Sequence, residues 1–257
     1  MGLKAEQRQK MILELVQQRG KVEVNDLAAE LEVTDVTIRR DLARMSREKL
    51  IKKTYGGAVL NSTPELTISV RYRQIRNITA KKMIGKLAAG LIDDGDIIFL
   101  EAGSTCYEII PYLADKKDLT VIVNSLYLMS RLATMPQHKV ILTGGQYRPR
   151  RMDMVGPTAV GAIAQLSGFK AFTGADDISR TAGISGADVV TVTFAKLICK
   201  RASEVIFVGD HSKFDNPALY KIADLNQLDW IVTDKRPSKQ WLVAAKENGV
   251  KIVCPKS

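Results

Sequence analysis

Two sets of residues have the types and spacing to do chemistry. The first is Thr34-Asp35-Val36-Thr37-Ile38-Arg39-Arg40. Small hydroxyls and a carboxylate precede two arginines within two helical turns. Arginine forks onto guanine or phosphate, and small hydroxyls let a backbone approach closely. Lys52, Lys53, Tyr55 and Gly56 follow, where basic and aromatic side chains meet a turn. They suit a phosphate backbone or a minor groove. Together these residues point to duplex DNA. A small helical protein-interaction domain with solvated arginines is the alternative.

The second set sits after successive apolar runs. Glu101, Gly103, Ser104 and Thr105 follow one run, Asn124-Ser125 the next and Gly144-Gly145 a third. Asp176 follows a fourth, and Asp210 and Lys213 a fifth. Glycine lets a backbone come close, hydroxyls and free N–H groups cradle phosphate, and carboxylates take hydroxyls. That constellation suits a phosphorylated polyol. Each residue alone is also an ordinary turn or helix cap. Their repetition at strand ends is what suggests a pocket.

The elements that must position the first set are short. Residues 6–19 read as a helix with Met11, Ile12, Leu15 and Val16 on one stripe, and Gly20 just past its end. Asn25 or Asp26 is placed to cap a second helix over 26–31. Thr34 is placed to cap a third over 35–47, with Ile38, Leu42 and Met45 inward. Two β runs around a Gly-Gly corner then form a wing over 50–59. This is a winged helix-turn-helix, expected over residues 4–60, whose third helix would read the major groove. Residues 61–78, with Pro64, Arg71, Arg73 and Arg76, read as a linker. They either add phosphate contacts or are simply solvated.

From 79 to 257 the pattern changes. Thr79 is placed to cap a helix running to Ile92. Apolar runs then occur at 97–100, 120–123, 140–143, 171–173, 205–208, 230–233 and 250–253, mostly separated by helical stretches. This predicts a C-terminal α/β domain with a doubly wound, mainly parallel sheet, which binds ligands beyond its strands' carboxyl ends.

Charge agrees with a polyanion partner. The formal net charge is +10; residues 1–60 carry 12 Lys/Arg against 9 Asp/Glu, and residues 61–86 carry 6 against 1. The excess therefore lies in the first third, beside the expected reading head. No long apolar run spans a bilayer, and the first 20 residues lack a secretion pattern. Cys106, Cys199 and Cys254 form neither a disulfide framework nor a zinc spacing, which suits a reduced cytoplasm. No metal, cofactor or catalytic residue is assigned.

The string T-D-V-T-I-R-R-D-L followed by K-K-T-Y-G-G-A resembles the DeoR family of bacterial sugar-catabolism repressors. The resemblance continues through Asp94-Gly95-Asp96, residues 101–105, 120–125, Gly144-Gly145, Val155-Gly156, 174–178, 210–214 and Thr233-Asp234. It implies a sensor similar in fold to ribose-5-phosphate isomerase, binding a sugar phosphate without turnover. It also implies an effector role for Lys196. Glu101 departs from the family's aspartate, Asp177 from its glycine, and the glutamate expected before Lys196 is replaced, if at all, by Asp188.

The expected function is a repressor of a carbohydrate-use operon, released from operator DNA by a phosphorylated sugar. A homo-oligomer, dimer or tetramer, is expected because paired half-sites need paired heads. The alternatives are an isomerase-like enzyme fused to a DNA-binding domain, and an activator.

Overall fold

Each short helix near the N-terminus carries one apolar stripe, so the helices can bury it only against one another and a hairpin. The computed structural model describes residues 5–47, 50–60, 73–74 and 76–255. The linker expected over 61–78, including Arg71, falls largely outside them. The chain divides into two units, Met1–Arg76 and Asn77–Ser257.

In the first unit the order is α1 (Ala5–Arg19), β1 (Lys21–Glu23), α2 (Val24–Glu30), α3 (Asp35–Arg47), β2 (Ile51–Thr54) and β3 (Gly57–Leu60). Ile12, Leu13, Val16, Leu27, Ile38, Leu42 and Met45 form its core. The α1 stripe is turned from the expected one: Leu13 is fully buried while Met11 is 38% exposed. Docking against α3 and the strands selects the face centred on Ile12, Leu13 and Val16.

Neither Asn25 nor Asp26 caps α2. The helix begins at Val24, whose N–H donates to the Gly56 carbonyl at 2.8 Å. The wing turn thus satisfies a donor that a side chain would otherwise have to meet. β1 adds a strand to the wing, giving the order β1-β3-β2. The corner is Tyr55-Gly56 rather than Gly-Gly, with Gly56 at φ +84°. Gly57 already lies in β3, where an added Cβ would meet the Val22 carbonyl oxygen at 1.9 Å. Only glycine allows that close strand approach.

The second unit is built on seven parallel strands: β4 (Ile97–Leu100), β5 (Thr120–Val123), β6 (Lys139–Leu142), β9 (Lys170–Thr173), β12 (Glu204–Val208), β14 (Trp230–Val232) and β15 (Lys251–Val253). Their order is β15-β14-β12-β9-β4-β5-β6. β4 pairs with both β5 and β9, so the winding reverses beside β4. In doubly wound sheets ligands bind beyond the strands' carboxyl ends at such a reversal, here those of β4 and β9.

Helices cover the sheet: α4 (Ile78–Ala89), α5 (Ser104–Tyr107), α6 (Leu126–Leu132), α7 (Pro157–Ala164), α8 (Val189–Arg201) and α9 (Lys239–Glu247). Three apolar clusters form, around Leu100, Val121 and Phe172, around Phe99, Phe169 and Phe194, and around Phe207, Ile231 and Trp241.

Thr79 does not cap α4: Asn77 stands at its N-cap position without a side-chain cap bond, and the helix ends at Ala89 before the expected Ile92. Asn77 takes a left-handed conformation and donates from Nδ2 to Asp210 Oδ1 at 3.0 Å. Two further pieces were not expected from the pattern. β7 (Gln146–Arg148) and β8 (Asp153–Val155) form a hairpin. β10 (Asp177–Ser179), β11 (Gly183–Gly186) and β13 (Tyr220–Ala223) form an antiparallel sheet in the order β10-β11-β13.

Candidate functional site

In the first unit, α3 turns Ile38, Leu42 and Met45 inward and leaves Asp35, Val36, Arg39, Arg40, Arg44 and Arg47 exposed. Thr34 caps it: its Oγ1 accepts the Thr37 N–H at 3.3 Å and lies 3.0 Å from Thr37 Oγ1. The two threonines are therefore tied to each other at the helix start. Asp41 is buried on the α1 side, where Arg8 Nε donates to it at 2.5 Å and Gln9 Nε2 at 3.0 Å. That clamp fixes α3 against α1 and leaves the arginine face open. On the wing, Lys52 and Lys53 are exposed, and Tyr55 at the corner is as open as in a free peptide. The unit thus presents a protruding basic helix beside a basic, aromatic-tipped hairpin.

In the second unit, β4 leads at the reversal into Glu101. This side chain is 5% exposed, accepts a hydrogen bond from Thr173 Oγ1 and another from the Gly174 N–H. Burial pushes its carboxyl up to about 7, against the lowering effect of Thr173 and nearby Arg151. No ion pair holds it among the described residues.

Gly103 precedes α5, and Ser104 and Thr105 open it half-buried. Asn124 and Ser125 are 2% exposed and hold the framework. Asn124 Oδ1 accepts the Ala102 N–H at 2.9 Å, and its Nδ2 donates to the Met154 carbonyl at 3.3 Å. Ser125 caps α6 and donates to the Met152 carbonyl at 2.8 Å. These two residues fasten the β7–β8 hairpin.

Gly144 and Gly145 take positive φ, and a Cβ on Gly145 would meet the Val155 carbonyl at 2.6 Å. Asp176 accepts the Ala187 N–H at 2.8 Å. Asp177 lies buried in β10 and accepts the Asn216 N–H at 2.9 Å. Its carboxylate is thus used to order the loop before β13.

Asp210 is 3% exposed and accepts from Ser212 Oγ at 2.6 Å as well as from Asn77. Burial pulls its carboxyl upward, but the Ser212 bonds, the Lys81 charge and Asn77 outweigh that and hold it below the usual range. Lys213 lies half-buried in the single turn His211–Lys213. Glu101 and Asp210 follow strands on either side of β9, so about 10 Å separates the two strand ends. Lys196 is exposed on α8, roughly two turns from the helix start.

Sequence reasoning missed two arginines. Arg148 Nε donates to Asp153 Oδ1 at 2.8 Å and its Nη1 to Asp188 Oδ2 at 2.5 Å. Arg151 Nη1 reaches Asp188 Oδ2 at 3.2 Å. Burial raises the Asp188 carboxyl, but the two arginines outweigh it and hold it below its ordinary range. The cluster joins the hairpin to the start of α8 and borders Glu101. The basic run Arg148 to Arg151 after Gly144-Gly145 was the available signal.

Among the described residues, no helix is long and apolar enough to cross a membrane. Comparison with known proteins matches both units. Residues 8–64 match the DeoR-like helix-turn-helix domain, and residues 76–235 the DeoR C-terminal sensor domain. The HTH-type transcriptional repressor GlcR of Bacillus subtilis is 29% identical, over 96% of this chain and 95% of its own. The HTH-type transcriptional regulator GolR of Listeria innocua is 30% identical, over 91% and 92%. The L-fucose operon activator of Haemophilus influenzae is 30% identical, over 89% and 91%. Among solved structures, ribose 5-phosphate isomerase A of Neisseria gonorrhoeae is similar over 53% of each chain, at 17% identity and a TM-score of 0.39. An N-terminal reading head and a C-terminal α/β sensor, matched in that order along the chain, make this protein a member of the DeoR family of DNA-binding transcriptional regulators.

Proposed function

We propose that the protein represses a carbohydrate-use operon and is released from its operator when a phosphorylated sugar binds the rim of the parallel sheet. α3 enters the major groove with Asp35, Arg39 and Arg40 toward the bases and the Thr34–Thr37 start toward phosphate. Lys52, Lys53, Tyr55 and Gly56 of the wing follow the backbone. At the rim, Gly103, Ser104, Thr105 and Lys213 take the phosphate, while Glu101, Asp176 and Asp210 take sugar hydroxyls.

Glu101 carries the ligand reading. A buried carboxyl costs free energy unless it is used, and this one, at the winding reversal, has no ion pair among the described residues although the Arg151 charge is near. Poised near neutrality, it can accept a hydrogen bond from a sugar hydroxyl or donate one to it. Asn124, Ser125, Gly144 and Gly145 shape the wall rather than bind. The sugar then binds the DNA-incompetent state more tightly than the competent one. Such a regulator works in the cytoplasm as a homo-oligomer with paired heads.

Activation is the second reading, favoured by the relative named as an operon activator. The geometry of the reading head serves either sign.

The test is a thermal-shift panel of phosphorylated sugars. A true effector at 100 times its Kd stabilises the protein by about 2.7 kcal/mol. Lys213→Ala should abolish the shift. A panel without a hit, or a shift equally given by the unphosphorylated sugar, contradicts the reading. NMR of the same mixtures reports on turnover; an isomerised product lost in Asp210→Asn would make the rim an active centre.

A further inference from the structure

The exposed face of α3 contains one residue that the arginines do not explain. At about 100° per residue, Ile38, Leu42 and Met45 mark the buried side of the helix. The stripe diametrically opposite holds Val36, Arg40, Ala43 and Arg47. Val36 is its only apolar member in the first turn, and it is 74% exposed. Asp35 and Arg39 flank it on one side and Arg44 lies on the other, all exposed. Thr34 and Thr37 are occupied by their own cap bond.

Among the described residues, this β-branched side chain, held open in the centre of the face, belongs to no part of its unit's apolar core. Four arginines around it disfavour an apolar protein surface and favour a polyanion. Within a polyanionic major groove, the one apolar feature of a base edge is the C5-methyl of thymine.

We infer that Val36 is a specificity-determining residue that reads a thymine methyl in each operator half-site. The inference rests on the assignment of α3 to the major groove. Val36 is stiff at χ1, so little rotamer freedom is lost on contact. The neighbouring arginines bind guanine or phosphate and are blind to this methyl. Val36 therefore separates thymine from cytosine, which lacks the group.

The experiment uses the full-length chain and an operator selected by it from a random duplex library. Each thymine is replaced in turn by deoxyuridine, which removes only the C5-methyl. For the native chain, one replacement per half-site should lower affinity about three- to fivefold, the value of burying one methyl-sized group. Val36→Ser should bind this operator more weakly and be insensitive to the same replacement. Cytosine at that position should weaken native binding, and 5-methylcytosine should restore part of it.

If no thymine responds, or if Val36→Ser responds as strongly as the native chain, the inference is overturned while DNA binding by α3 stands. If the library yields no bound duplex, the assignment of α3 to the groove fails and this inference with it.

Discussion

Glu101 has a consequence for stability that can be worked out at its own atoms. Its carboxyl rises from an ordinary 4.5 to about 7 on folding because burial penalises the charged form. Between those values the folded chain holds a proton that the unfolded chain has released. Stability is therefore greatest below about pH 4.5 for this group and falls as pH rises through 7. The full cost is about 3 kcal/mol, at 1.36 kcal/mol for each pH unit. Glu101→Gln keeps an acceptor for Thr173 Oγ1 and removes the titration. At pH 8 the variant should unfold at a higher denaturant midpoint than the native chain, and the gap should close toward pH 4.5. A constant gap would mean that Glu101 does not titrate on folding. The neighbouring Asp210 shows the opposite balance, because Ser212 and Asn77 donate to it. The type of both carboxylates and their place after strand ends were legible; their burial and environments were not, since Asn77 lies 133 residues from Asp210.

Elements were readable where their pattern was apolar and continuous. All seven parallel strands fall within a residue of the expected runs, because strands buried on both faces are unbroken apolar segments. The β10-β11-β13 sheet was missed for the converse reason. Asp177, Ser179 and Ser185 are buried in it, and Gly183 and Gly186 bound β11, so the stretch has the composition of a loop. Tertiary pairing supplies what propensity does not. The start of α2 shows the same effect, since the donor at Val24 goes to a carbonyl 32 residues away in the wing. Gly57 offers a test at this scale. Gly57→Ala places a methyl against the Val22 carbonyl oxygen and must part β1 from β3. A loss of about 1–3 kcal/mol is expected for overpacking of this kind. Thermal unfolding should show the lower transition, and a Tm equal to the native value would contradict the close strand approach. Gly56→Ala, where the obstacle is the Glu23 carboxylate at the end of a flexible side chain, tests positive φ instead.

At the scale of the whole molecule, the residues proposed to read DNA and those proposed to bind the sugar lie in different units. Arg39 and Arg40 belong to the first unit and Lys213 to the second. Arg39→Ala should weaken operator binding and leave the sugar-phosphate thermal shift intact; Lys213→Ala should do the reverse. If both variants lose both activities, the division of labour is wrong. The effector's coupling to the operator decides the rest. It is measured most directly by titrating fluorescent operator with the full-length protein, with and without a saturating phosphorylated sugar from the thermal-shift panel. The sugar should weaken operator affinity by about 5–150-fold, the range of a coupling of roughly 1–3 kcal/mol. An operator affinity unchanged by a sugar phosphate that demonstrably binds would contradict the proposal that the rim controls the reading head.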